Sequence, residues 1–92
     1  MKYSVEYSNL INRKRLARLP KGDLKMIKTA IERKLTIAPE VFGKPLRFSL
    51  KGHRSLRIGD YRVIYRIDGT IVRILFIAHR SAVYTDAESS LS

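Results

Sequence analysis

In the stretch HRSLRIGDYRVIY, residues 53–65, apolar and polar residues alternate from Ser55 to Ile58 and again from Tyr61 to Val63, on either side of Gly59-Asp60. Such alternation around a two-residue turn predicts a β-hairpin. Its register pairs Ile58 with Tyr61, Arg57 with Arg62, Leu56 with Val63 and Ser55 with Ile64. Side chains alternate faces along a strand, so Leu56, Ile58, Tyr61, Val63 and Tyr65 make an apolar face, and Arg57, Arg62 and Arg66 a cationic one. Like charges directly opposite each other destabilise a sheet. A facing Arg57 and Arg62 therefore point to an anion held between them.

The same patterning predicts the rest of the chain. Tyr3, Val5 and Tyr7 alternate with Lys2, Ser4 and Glu6 as a first strand. Ser8 or Asn9 is placed to cap a short helix running to about Leu19, and Pro20-Lys21-Gly22 ends it. Asp23 is placed to cap a second helix, in which Leu24, Ile27, Ile31, Leu35 and Ala38 recur at helical spacing until Pro39 stops it. Together these make an αα-hairpin. Residues 39–45 read as a loop, and Leu46, Phe48 and Leu50 alternate with Arg47, Ser49 and Lys51 as a second strand.

A second hairpin turn at Asp68-Gly69 pairs Ile67 with Thr70, Tyr65 with Val72, Ile64 with Arg73 and Arg62 with Leu75. Val72, Ile74 and Phe76 then join the apolar face, while Arg73 joins the arginines, with Ile64 and Leu75 set among them. The predicted fold class is α+β: an N-terminal strand, an αα-hairpin, then a three- to four-stranded antiparallel sheet with the helices packed on one face. The other face stays open as a basic, partly apolar platform.

Composition sharpens this picture. The 92 residues are expected to form a single domain with a polar tail from about residue 85, and their 45% hydrophobic content supports a folded core. Nineteen Lys and Arg against eight Asp and Glu give a net charge of +11, which selects polyanionic partners such as RNA, DNA or an acidic protein segment. The absence of cysteine excludes disulfides and thiolate metal sites, and two histidines without close carboxylates do not build a structural zinc site. No cofactor or metal is expected. Neither an apolar signal region nor a membrane span is visible, so a cytoplasmic location is expected.

In the order of its elements, in the motif LRIGDYRVIY at residues 56–65 and in HR-x-x-VY at residues 79–84, the chain resembles the RelE family of bacterial and archaeal toxins. The resemblance covers nearly the whole chain. It implies a toxin of a type II toxin–antitoxin system that enters the ribosomal A site, cuts mRNA there without a metal and so inhibits translation. It also implies a cognate antitoxin that silences it; the toxin is expected to be monomeric when free and part of a hetero-oligomer with that antitoxin.

Carried over by motif position, Arg62 is the phosphate-clamping arginine, with Arg57 beside it. Arg80 and Tyr84 match the basic residue and the tyrosine near the family's C-terminus. His79 is the candidate base, having an ordinary pKa near neutrality. Tyr84 is placed for base stacking or proton transfer. Arg54, Arg66 and Arg73 are candidate RNA-backbone contacts; Arg54 falls by parity on the apolar face, so it is either re-aimed by a bulge or structural. The basic segment 13–18 is a candidate rRNA contact or a solvated face. Two other functions compete with this reading: a ParE-type toxin of the same fold that binds and inhibits DNA gyrase without cutting RNA, and a non-catalytic RNA-binding domain.

Overall fold

The computed structural model describes residues 2–8, 11 and 13–82. Its elements, in chain order, are β1 (Ser4–Tyr7), α1 (Arg13–Ala17), α2 (Lys21–Lys34), α3 (Pro39–Phe42), β2 (Lys44–Pro45), a 3₁₀ turn (Phe48–Leu50), β3 (Arg54–Ile58), β4 (Tyr61–Asp68) and β5 (Ile71–His79). The strands form one five-stranded sheet in the order β1-β5-β4-β3-β2. The sheet is mixed rather than purely antiparallel, because β1 lies along the edge parallel to β5, pairing Ser4 with Ile71 and Tyr7 with Ile74. That parallel pairing is possible because α1, α2 and α3 lie between β1 and the rest of the sheet in sequence.

The helical layer covers one sheet face. Ile27, Ile31 and Leu35 lie four residues apart in and just after α2 and are fully buried against Leu56, Val63, Tyr65, Val72 and Ile74. Leu16 and Leu19 pack on the margin of the same core. The second helix differs from expectation at both ends. It begins at Lys21 with Pro20 as its cap, so Asp23 does not cap it and accepts a 2.8 Å hydrogen bond from the Tyr61 hydroxyl. It ends at Lys34, and residues 39–42 of the expected loop form α3, with Pro39 at the first helical position, where its missing N–H costs nothing.

The first hairpin has the expected register throughout, from Ile58–Tyr61 to Ser55–Ile64, and extends to Arg54–Tyr65. The second differs. Its turn is Gly69-Thr70, closing on Asp68–Ile71, so Tyr65 pairs with Ile74 and Arg66 with Arg73. Each of the two turns thereby places a glycine first: Gly59 at φ 58° and Gly69 at φ 63°, a left-handed conformation that glycine adopts without strain.

A register shift between Ile64 and Tyr65 then leaves Leu75 opposite no single residue, and beyond it Ile64 pairs with Phe76, Val63 with Ile77 and Arg62 with Ala78. The bulge exchanges faces. Phe76, expected in the core, joins Ile64, Leu75 and Ala78 on the arginine side, while Ile77 takes its place under the helices.

That second apolar cluster is covered by the segment expected to be a strand. Residues 46–51 form no strand: the short pairing with β3 is made by Lys44–Pro45 of the expected loop, and Phe48–Leu50 is a 3₁₀ turn. Leu46 and Leu50 pack onto Ile64, Leu75, Phe76 and Ala78, so the arginine face is half covered rather than open. Phe48 is 93% exposed and takes φ 57°, which costs a residue with a Cβ about 1–2 kcal/mol.

Tyr65 locks α3 to the sheet. Its side chain is fully buried, and its hydroxyl donates a 2.6 Å hydrogen bond to the Pro39 carbonyl. A Cβ at Gly43 would lie 2.1 Å from that hydroxyl oxygen. Gly43→Ala is therefore expected to destabilise the fold by about 1–3 kcal/mol, read by chemical denaturation; an unchanged midpoint would show that the ring can yield.

Burial pushes the Tyr65 hydroxyl above its ordinary pKa, with the Arg54 guanidinium pulling the other way. The folded state therefore favours the neutral phenol, and its contribution is complete below the unfolded value of about 10 and lost as pH rises through the folded value. Stability is expected to fall as pH rises from about 10 toward the folded value, and Tyr65→Phe to flatten that alkaline limb of a stability–pH curve.

Candidate active site on the arginine face of the sheet

Two arginine pairs face each other across β4, and their surroundings separate them. Arg66 pairs with Arg73 on β5. Asp68 stands between them, accepting from Arg73 Nε at 3.2 Å and lying 3.6 Å from Arg66 Nη2. Arg73 Nη1 also meets Glu6 on β1 at 3.0 Å. This pair is neutralised within the fold. The later turn made this possible, because moving Asp68 from the turn into β4 placed it beside both guanidinium groups.

Arg57 and Arg62 are the other pair, directly opposite on β3 and β4. Arg57 is exposed, with only a long 3.4 Å contact from its Nε to the Gly59 carbonyl. Arg62 is half-buried, and among the described residues it has neither an ion-pair nor a hydrogen-bond partner. On its other side Arg62 is paired with the small residue Ala78. Two adjacent, uncompensated guanidinium groups form a fork suited to an oxyanion with several acceptor oxygens, such as a phosphate.

Arg80 lies at the same end of the sheet. Its backbone N–H donates to the Asp60 carbonyl at 2.8 Å, extending the β4–β5 ladder to the Gly59-Asp60 turn. It is exposed and lies in the turn just beyond the end of β5.

His79 is positioned differently, being opposite Tyr61 with the rings edge to face at 6.1 Å. It lines a cleft with Leu16, Leu19 and Ile77 on the helix side. The Ser81 backbone N–H lies 3.2 Å from its Nδ1 and the Ser81 hydroxyl 2.9 Å from it. Accepting from that N–H occupies the Nδ1 lone pair, so the neutral ring carries its proton on Nε2, the wrong tautomer for abstracting a proton there. Tyr84 lies outside the described residues.

Arg54 is set apart from the RNA-contacting role expected of it. It pairs with Tyr65, and its Nη2 donates to the Glu40 carbonyl at 2.7 Å and the Gly43 carbonyl at 2.6 Å. It ties α3 to β3 beside the Tyr65 hydroxyl. This is the structural alternative that its parity left open, and no bulge in β3 re-aims it.

What sequence reasoning missed is the role of acidic residues. Glu6 and Asp68 decide which arginines stay free, yet they lie 67 and 5 residues from Arg73. The nearer one carried a readable signal, since a strand carboxylate among arginines is a natural partner; the parallel placement of β1 left none.

A helix-backed sheet presenting a free arginine pair on its opposite face defines a small cationic α+β protein. The model of the family described as "ParE toxin of type II toxin-antitoxin system, parDE" matches residues 11–84, and the chain belongs to the RelE/ParE superfamily of type II toxins. Toxin RelG of Mycobacterium tuberculosis (strain ATCC 25618 / H37Rv) is similar to it, 38% identical over 86 residues that cover 91% of this chain and 98% of that protein. Toxin RelE of the same organism is 54% identical over 48 residues, an alignment spanning 50% of this chain and 50% of that relative. The fold is similar to the crystal structure of the toxin–antitoxin complex RelBE2 from M. tuberculosis, with TM-score 0.73 and 37% identity over 87% of this chain and 100% of that one.

The two kinds of arginine predict opposite effects on stability. Arg54→Ala is expected to cost about 2 kcal/mol by releasing two carbonyls, whereas Arg62→Ala is expected to leave stability within about 0.5 kcal/mol or raise it. Added salt screens the facing charges, so wild-type stability should rise with ionic strength more than that of Arg62→Ala; denaturation at low and high salt checks both.

Proposed function

We propose that this toxin is a ribosome-dependent endoribonuclease that cleaves mRNA in the A site without a metal and so inhibits translation. The observation that carries this reading is the contrast between the arginine pairs: Arg66 and Arg73 are neutralised by Asp68 and Glu6, while Arg57 and Arg62 face each other without a carboxylate among the described residues.

In the proposed reaction the ribose 2′-hydroxyl loses its proton and attacks the adjacent phosphorus. The bond from phosphorus to the 5′-oxygen breaks, that oxygen takes up a proton, and a 2′,3′-cyclic phosphate remains. Arg62 and Arg57 hold the phosphoryl oxygens and stabilise the charge that grows on them, an effect usually worth more than any other single term. Arg80, beyond the same turn, is assigned to the leaving side. Tyr84 is proposed for stacking or proton transfer. His79 is proposed to donate a hydrogen bond from Nε2 to the RNA, rather than to act as the base. Arg66 and Arg73 are proposed as peripheral contacts to the RNA backbone, weakened by their carboxylates.

The proposed partners are the ribosome, mRNA and a cognate antitoxin. The comparison structure is itself a toxin–antitoxin complex, which supports the last. A +11 chain suits an acidic antitoxin that orders on binding. An apolar cleft of about 270 Å³, lined by Tyr7, Ile11, Leu16, Ala17, Leu24, Lys28 and Ile77, offers such a segment a seat. A second reading, inhibition of DNA gyrase without RNA cleavage, is favoured by the family description that matches residues 11–84.

One comparison separates the two. Wild-type protein on programmed ribosomes is expected to cut labelled mRNA and Arg62→Ala to be slower by about 10²–10³-fold, with free mRNA left intact and gyrase supercoiling unaffected. Intact mRNA with inhibited supercoiling would establish the gyrase reading instead.

A further inference from the structure

Phe48 is the most exposed large apolar side chain among the described residues, and its backbone is the only non-glycine one there with positive φ. An exposed aromatic ring gains nothing from folding, and a left-handed conformation disfavours any residue with a Cβ. Both features act against the fold at one position. Held strain of this kind persists where the surroundings over-determine it.

The surroundings do so here. Leu46 and Leu50, on either side of Phe48, are anchored in the cluster with Ile64, Phe76 and Ala78. The backbone is closed by hydrogen bonds from Leu50 N to the Arg47 carbonyl at 3.2 Å, from Lys51 N to the Phe48 carbonyl at 3.0 Å and from Leu46 N to the His53 carbonyl at 3.0 Å. The ring is therefore presented outward by a fixed turn. That turn stands on the arginine face, because Ala78 of its supporting cluster pairs with Arg62 and Ile64 lies two residues, about 7 Å, along β4 from Arg62.

We propose that Phe48 is a stacking platform for a nucleobase of the RNA strand whose phosphate lies between Arg57 and Arg62. This rests on the nuclease reading above and adds to it a position-determining residue. Charge selects a nucleic acid: Lys44, Arg47 and Lys51 flank the ring and are exposed, and residues 43–59 contain no Asp or Glu. A ring set among cations offers stacking and backbone neutralisation together, the combination used for single-stranded nucleic acid. The exposed apolar side chains Ile37, Val41 and Phe42, by contrast, are grouped in and beside α3, where a protein partner would find a contiguous patch.

The test uses the full chain on ribosomes programmed with an mRNA carrying 2-aminopurine in the A-site codon and 2′-O-methyl groups that block cleavage. Phe48→Gly removes the ring and relieves the backbone, so its melting temperature should rise by about a few degrees while its RNA contact weakens. Wild type and Phe48→Tyr should quench the 2-aminopurine; Phe48→Gly should not, and on cleavable mRNA its kcat/KM should fall about tenfold. Quenching and cleavage by Phe48→Gly equal to wild type would overturn the proposal while leaving the nuclease reading intact. So would a loss confined to antitoxin affinity, which would make the ring a protein anchor. A wild-type protein that neither binds nor cuts the programmed mRNA would overturn both.

Discussion

Strand β4 lies between β5 and β3, and each of its side chains must turn either to the helices or away from them. That alternation is the constraint on which the rest depends. Tyr61, Val63 and Tyr65 face the helical layer and hold it, with Tyr65 reaching the Pro39 carbonyl and Tyr61 reaching Asp23. Arg62 and Arg66 are thereby committed to the opposite face. A slip of one residue would bury two guanidinium groups under α2, so the core fixes where the cationic site must be.

The two faces are coupled at the Leu75 bulge. One extra residue in β5 brings Ala78 opposite Arg62 and Phe76 opposite Ile64. Phe76 gives the 46–50 turn an apolar surface to rest on. Charge placement and backbone irregularity thus cooperate. The carboxylates of Asp68 and Glu6 neutralise one end of the arginine face, and the bulge shapes the other.

A cationic face of this kind works against the stability of the free protein. Arg57 and Arg62 repel each other across a sheet, and Phe48 sits exposed in a strained backbone. Folding instead draws on the apolar contacts beneath α2 and on the clamp formed by Tyr65, Gly43 and Arg54, which lies on the helix side of the sheet. The most tightly packed and the most repulsive parts of the molecule therefore occupy opposite faces of the same strands.

Alternation on either side of the Gly59-Asp60 turn was enough for the sequence by itself to determine the first hairpin, its register and the facing of Arg57 and Arg62. Helical spacing likewise determined which side of α2 is buried. Tertiary structure decided what local pattern leaves open. The alternation of Leu46, Phe48 and Leu50 reads as a strand, yet only the two leucines find an apolar surface, so the segment folds into a turn over Ile64 and Phe76. The bulge at Leu75 moved Phe76 to the arginine face, and the pairing of β1 with β5 brought Glu6 to Arg73. Each of these depends on contacts between residues distant in the chain, and a periodicity carries no information about which distant partner will satisfy it.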